Sequence, residues 1–92
     1  METSTATHQS AIAVDPLDRL PAVLAVRGVR KSQHHNDIKS GLYTQPVKLG
    51  PRASGWPRSE VAALNAARIA GKSADDIRAL VQKLMAARAS MA

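Results

Sequence analysis

The chain has 92 residues, of which 45% are hydrophobic, and its formal net charge is +6. This length allows one small domain with a limited core, and the absence of cysteine excludes disulfides and cysteine-ligated zinc. No apolar run approaches the roughly 18 residues of a membrane span, and the N-terminal segment lacks the pattern of a secretory signal, so we expect no membrane partner.

The positive charge is concentrated in the middle of the chain. Between Arg27 and Arg58 there are seven basic residues and a single acid, Asp37, which together account for the whole net charge. The basic residues are Arg27, Arg30, Lys31, Lys39, Lys48, Arg52 and Arg58. A localised basic region on a small domain favours a polyanionic partner, and nucleic acid is the partner we predict from it.

The N-terminal part predicts a tail followed by a short helix. Residues 1–15 are small and polar without a sustained period, so we predict a disordered tail. Pro21 suits the first turn of a helix, where its missing N–H costs nothing. Gly28 favours the left-handed conformation that ends helices. We therefore predict a helix over residues 21–27 and a turn after it.

The next segment, RKSQHHNDIKSG, predicts a second helix that begins at Arg30 or Lys31 and ends before Gly41. At about 100° per residue, His34 and Ile38 share one side, and polar or basic residues cover the opposite side. Two helices joined by a tight glycine turn are typical of a helix-turn-helix, whose second helix enters the major groove of DNA. The predicted contacts on this helix are Arg30, Lys31, Ser32, Gln33, His35, Asn36 and Lys39.

The stretch QPVKLGPRASGW predicts a β-hairpin directly after the polar helix. Val47 and Leu49 alternate with Lys48, and the Gly-Pro-Arg sequence favours a turn. A hairpin in this position is a wing, and we predict that Lys48 on its outer face and Arg52 at its tip contact DNA phosphates. The alternative is a structural hairpin with incidental charge. Trp56, the only tryptophan in a chain without phenylalanine, is predicted to anchor the core.

Two further helices are predicted after the hairpin. The first has Pro57 as its first helical residue and stops at Gly71, with Glu60 in the first turn, where a carboxylate suits the positive helix end. The second begins two residues after Gly71, spans about four turns and is amphipathic, with Arg88 expected to be solvated on its polar side. We expect its apolar stripe to pack either on the domain's own core or on another protomer. The stripe consists of Ile77, Leu80, Val81 and Leu84.

The sequence HHND is the only candidate for metal chemistry. Adjacent residues of a helix point in different directions, so His34 and His35 do not converge on one ion. The chain also lacks an activated nucleophile and a pair of pocket carboxylates. We therefore predict no metal, no cofactor and no enzymatic activity, and we expect His34 at the edge of the core with one hydrogen bond.

The stretch from Arg19 to Arg68 resembles the AlpA-like prophage regulators and related excisionases. The shared features are RLPAVLAVRGV leading into a helix, then Gly41, then PVKLGPRASGW and finally SEV. The resemblance implies a winged helix-turn-helix of the MerR/excisionase type and a bacterial mobile element as its source. His34 stands where the family's pattern has an aliphatic residue.

These observations predict a mostly α fold with a small β-hairpin: a winged helix-turn-helix over residues 16–71 and a C-terminal amphipathic helix over residues 72–92. The function that the resemblance implies is that of an excisionase-type factor, which binds double-stranded DNA cooperatively and bends it for excision by an integrase. Copies would lie side by side, with the stripe of the last helix between them. The alternatives are a transcriptional regulator of integrase or mobile-element genes, and an adaptor that binds only protein, through its last helix. We expect a cytoplasmic protein that is associated with the nucleoid when bound.

Overall fold

A computed structural model describes residues 14–90, so residues 1–13 of the predicted tail lie outside the described part of the chain. The elements in chain order are β1 (Leu17–Arg19), α1 (Leu20–Arg27), α2 (Lys31–Lys39), β2 (Val47–Gly50), β3 (Ala53–Pro57), α3 (Arg58–Ile69) and α4 (Ala74–Ser90). This order confirms the predicted fold class, which is mostly helical with a small antiparallel sheet. Over the described range, no helix combines the length and the apolarity that crossing a bilayer requires.

A tight turn joins α1 to α2, as the sequence predicts. Gly28 follows α1 with a φ of 70°, in the left-handed region, and its N–H donates to the carbonyl of Leu24 at 2.8 Å. A side chain at this position would strain the backbone, so glycine sets the end of α1. Val23 is the buried residue of α1, and His34 and Asp37 are those of α2.

The sheet has three strands rather than the two of a simple hairpin. Its order is β1-β3-β2, and β3 pairs antiparallel with both neighbours. Gly55, in the middle of β3, allows atoms of the edge strands β1 and β2 to approach β3 closely. A Cβ at this position would lie 3.1 Å from Cδ1 of Leu49 and 3.2 Å from the carbonyl oxygen of Asp18. Because β3 of the wing pairs with β1, the wing is hydrogen-bonded to the segment that leads into α1.

The strand register corrects the predicted orientation of Lys48. Lys48 lies opposite Ser54, and directly opposed residues share a face of the sheet, so Lys48 is on the same face as Ser54 and Trp56. Trp56, on that face, packs against the His34 ring of α2. Leu49 is on the reverse face and is 42% exposed, although the alternating pattern suggested that the apolar residues of β2 point inward. The periodicity was sufficient to predict a strand but not which of its faces meets the core.

The core is built around Trp56, as predicted. Trp56 is 2% exposed, and its Nε1 donates to the carbonyl of Thr44 at 2.9 Å. The other buried hydrophobic residues come from α1, α3, α4 and the segment before the wing. They are Val23, Tyr43, Val61, Leu64, Ala67, Ile77 and Val81. One cluster thus joins the helix-turn-helix to α4.

The apolar stripe of α4 packs within the protomer. Ile77 is 1% exposed and Val81 is 7% exposed, and Leu80 and Leu84 pack against the same cluster. The sequence left open whether the stripe meets the domain's own core or another protomer. Because Ile77 and Val81 are already buried, the predicted contacts between protomers through these residues are wrong.

Two long-range side-chain contacts fix the ends of α3 and α4. Nε and Nη2 of Arg88 donate to the two carboxylate oxygens of Glu60, each at 2.7 Å, and Nη2 also donates to the carbonyl of Gln45 at 2.8 Å. Glu60 is 3% exposed, so Arg88 is the partner of a buried carboxylate and not a solvated residue. At the start of α3, Oδ1 of Asp15 accepts a hydrogen bond from the N–H of Ser59 at 3.0 Å.

Candidate nucleic-acid interface

A concave groove of about 750 Å³ lies between α2, the start of α1 and the wing. Trp56 and Ile38 contribute apolar surface to its lining. The basic lining residues come from three separate elements: Arg19 at the end of β1, Lys31 and Lys39 on α2, and Arg52 in the wing turn. Among the described residues, no acid lines the groove. An acid-free groove with several cations at its lining is suited to a polyanion.

The nine predicted contact residues fall into two groups. Four of them line the groove together: Lys31, His35, Lys39 and Arg52. The first three are spaced four residues apart on α2, so they share one face of the helix. The other five are exposed on α2, just before it, or on the wing, outside the lining of the groove: Arg30, Ser32, Gln33, Asn36 and Lys48.

Three polar residues of the groove were not predicted from the sequence: Arg19, Gln45 and Ser54. Arg19 is the last residue of β1, a strand too short to leave an alternating pattern. Gln45 belongs to the connection before the wing, and its carbonyl accepts the hydrogen bond from Arg88. The only sequence signal for Arg19 was its position just before the predicted first helix, which is also where the family resemblance begins.

A buried cluster holds α2 against α1 from the side opposite to the exposed face. Arg27 donates through Nη2 to Oδ2 of Asp37 at 2.5 Å and through Nη1 to Nδ1 of His34 at 2.9 Å. The guanidinium carbon lies 4.3 Å from the ring centroid of Tyr43. The His34 ring also packs edge-on against Tyr43 and Trp56, with centroids 5.0 and 4.9 Å away. We call Arg27, His34, Asp37 and Tyr43 the Arg27 cluster; it sets the position of the candidate recognition helix.

His34 is uncharged in this cluster. Burial, followed by the nearby charge of Arg27, lowers the pKa of His34 to about 4. A neutral imidazole can accept the hydrogen bond from Arg27, whereas an imidazolium would be repelled by it. The predicted single hydrogen bond of His34 is present, but the residue lies fully inside the core rather than at its edge. His35 is exposed and points away into the groove, so the two histidines do not form a joint site.

We expect the stability of the protein to fall as the pH is lowered from about 6.5 to about 4. The imidazole has a pKa of about 6.5 in an unfolded chain and about 4 in the folded one, so the unfolded state takes up this proton first. The stabilisation is complete above the unfolded pKa and is lost as the pH falls towards the folded pKa. Thermal unfolding followed by circular dichroism at stepped pH measures the effect.

The variant His34→Leu, which introduces an aliphatic residue, separates this effect from general acid sensitivity. It should flatten the dependence of Tm on pH within that window, whereas His35→Leu, at the exposed neighbour, should keep it. Equal pH slopes in the wild type and His34→Leu would show that another group carries the dependence.

The chain matches one family model, and the match covers most of the features described above. The model is described as the prophage CP4-57 regulatory protein, AlpA, and it matches residues 17–68. That range begins at β1 and ends within α3, so it includes every segment that lines the groove. Comparison with curated proteins and with solved structures finds no match.

Proposed function

The chain belongs to the AlpA family of prophage regulatory proteins, since the family model covers more than half of it, and from that membership we propose that it acts by binding duplex DNA. The observation that carries the proposal is the convergence of basic side chains from β1, α2 and the wing on one groove. Contacts between cationic side chains and phosphates supply a large share of the affinity of proteins for DNA. A groove lined by cations and no acid has the positive potential that attracts phosphates.

In the proposed complex, α2 enters the major groove and the wing lies along the adjacent phosphate backbone. The major groove is about 12 Å wide and admits one helix. The exposed polar side chains of α2 are then the candidates for base contacts, because Gln33 and Asn36 carry both a donor and an acceptor. Lys31, Lys39 and Arg52 are placed to contact phosphates, which position a protein on DNA without reading its sequence.

The burial of the α4 stripe argues against a pure adaptor. An adaptor that worked through the last helix would need an apolar face free for a partner. Ile77 and Val81 are instead part of the protomer's own core. The groove remains the surface of this domain with the clearest chemistry for a macromolecular partner.

We propose an excision factor as the specific role, with a transcriptional regulator of integrase or mobile-element genes as the alternative. The excision role requires several copies on neighbouring sites, bent DNA and an integrase partner, whereas transcriptional control by one bound copy requires none of these. Contacts between copies would need a surface other than the buried stripe. Energy transfer between dyes at the two ends of a duplex measures bending, and titration of a duplex with several sites measures cooperativity.

Removing one cation from the groove should weaken DNA binding at every sequence. We expect Lys31→Ala and Arg52→Ala each to lower the affinity for specific and random duplexes alike and to reduce the slope of log K against log salt by about one unit. The physical reason is that each contact with a phosphate releases about one counterion. Fluorescence anisotropy of a labelled duplex between about 50 and 200 mM salt measures both quantities.

The matched control is Lys83→Ala, an exposed lysine of α4 that does not line the groove. It should leave affinity and slope at wild-type values. If Lys83→Ala and Lys31→Ala lowered the slope equally, binding would be a property of the overall charge and not of this groove. Wild-type binding that is insensitive to salt would overturn the proposed function.

A further inference from the structure

One buried acid is in direct contact with an exposed residue of the candidate recognition helix. Asp37 is the only acid among the basic residues of the middle segment and is 4% exposed. Its Oδ2 is paired with Arg27, and its Oδ1 accepts a hydrogen bond from Nε2 of Gln33 at 2.7 Å. Gln33 lies one helical turn before Asp37 and is exposed. A chain of hydrogen bonds thus runs from Arg27 in the core to an amide on the surface of α2.

The carboxylate determines which way the amide of Gln33 points. An ionised carboxylate can only accept hydrogen bonds, so the group that faces it must be the NH₂ of the glutamine. The flipped amide would place its carbonyl oxygen against a negatively charged oxygen and would leave the buried Oδ1 without a donor, which is costly. Because Arg27 neutralises Asp37, the carboxylate on the buried side of α2 does not repel a phosphate backbone.

An amide held in this way has a carbonyl oxygen and one N–H left for a ligand. In the major groove adenine offers the N6 amino group as a donor and N7 as an acceptor, which matches these two groups. Guanine offers two acceptors, N7 and O6, and would need both N–H groups of the amide, one of which Asp37 holds. Thymine offers the acceptor O4 and a methyl group, and cytosine a single donor.

We propose that Asp37 is a positioning residue that makes Gln33 select adenine at one position of the target site. The proposal rests on the proposed function, since it assumes that α2 lies in the major groove. Asp37 itself touches no DNA in this arrangement; it acts only through the amide of Gln33. Specificity at this base pair then depends on a side chain in the core.

Selection of duplexes from a randomised pool, followed by competition binding at each base pair, tests the first half of the proposal. The wild type should prefer adenine at one position. Gln33→Met keeps the length of the side chain and removes the amide, so this preference should fall by about tenfold or more while the other positions and the affinity for scrambled duplex stay unchanged. Gln82→Met, at an exposed glutamine of α4, is the matched control and should retain every preference.

Asp37→Asn tests the role of the carboxylate. Arg27 would hold the amide oxygen of the new residue, whose NH₂ would then face Gln33 and turn the Gln33 amide around. Gln33 would present its NH₂ to the major groove of the DNA, and the preference at that position should shift from adenine towards guanine. A residue with only a structural role would lower the affinity for all sequences without changing which base is preferred.

Each result bears on a different part of the argument. If the wild type selects a sequence and Gln33→Met selects the same one with equal discrimination, the inference is wrong and the proposed function stands. A folded Asp37→Asn variant that keeps the adenine preference would also overturn it, and if that variant does not fold, Gln33→Met alone decides. If the wild type binds duplex DNA without any sequence preference, recognition through α2 fails and the inference fails with it.

Discussion

Deleting residues 72–92 is expected to unfold the remaining chain rather than to leave a smaller DNA-binding unit. The deletion removes Ile77 and Val81 from the core and exposes the surfaces of Leu64 and Val61 that belong to the same cluster. Burying an aliphatic side chain of this size contributes about 1.5–3 kcal/mol. A small domain has only about 5–15 kcal/mol of stability in total. Circular dichroism should therefore show no cooperative thermal transition in the truncated protein.

The single variant Arg88→Met isolates the electrostatic part of this loss. It leaves the Glu60 carboxylate buried without its cation, and breaking a buried pair in this way costs about 3–5 kcal/mol. Lys83→Met, at an exposed position on the same helix, should cost less than about 0.5 kcal/mol. The double variant Glu60→Leu/Arg88→Met should recover most of the stability, because an apolar pair replaces the ions without leaving a charge behind.

Urea unfolding of the point variants compares their free energies of unfolding with that of the wild type.

A truncated chain that melts cooperatively near the wild-type temperature would show that α4 is dispensable for the core. In that case the chain up to residue 71 would fold without α4, and the burial of Ile77 would result from docking of α4 and would not be a condition of folding.

The variant Arg27→Met is expected to have the second large effect, a loss of about 3–5 kcal/mol, because it removes the cation from the buried side of α2. Asp37 would then be a buried charge with only Gln33 as a donor, and His34 would lose its hydrogen bond. Arg30→Met is the matched control, since it removes the same charge from an exposed position at the start of α2. It should change stability by less than about 0.5 kcal/mol.

The two arginines should separate stability from DNA affinity. Arg30→Met should weaken duplex binding and leave the urea midpoint unchanged. Arg27→Met should lower the urea midpoint, because Arg27 is paired with Asp37 in the core. Its side chain does not line the groove. Equal and small effects of both variants on the midpoint would mean that the Arg27 cluster does not hold α2 in place.

Local signals in the sequence were sufficient for most of the helical architecture. Gly28 predicted the end of α1, and the residues after it predicted a second helix from Arg30 or Lys31, which begins at Lys31 in the structure. The Gly-Pro-Arg turn predicted the wing between Val47 and Trp56. These features depend on the conformational preferences of a few neighbouring residues, which a sequence displays directly.

The missed features all depend on pairs of residues that are far apart in the chain. β1 has only three residues, and it is a strand through its pairing with β3, in which Asp18 lies opposite Trp56. Arg88 and Glu60 are 28 positions apart, and nothing around either residue identifies the other as its partner. For Asp37, the sequence showed an isolated acid among basic residues. It could not show that the acid faces inward, because this depends on where Arg27 lies after the turn.

The pairing of β1 with the wing has a consequence for the energetics of recognition. A wing that is a free hairpin orders only when it meets DNA and loses conformational entropy at that step. Here β3 is held between β2 and the strand that leads directly into α1, so the angle between wing and α2 is set during folding. With this angle fixed, the wing and α2 adapt little to the DNA that they bind. The duplex must adapt instead, so target sites would differ in how easily their sequence lets the DNA bend or its groove widen to fit α2 and the wing.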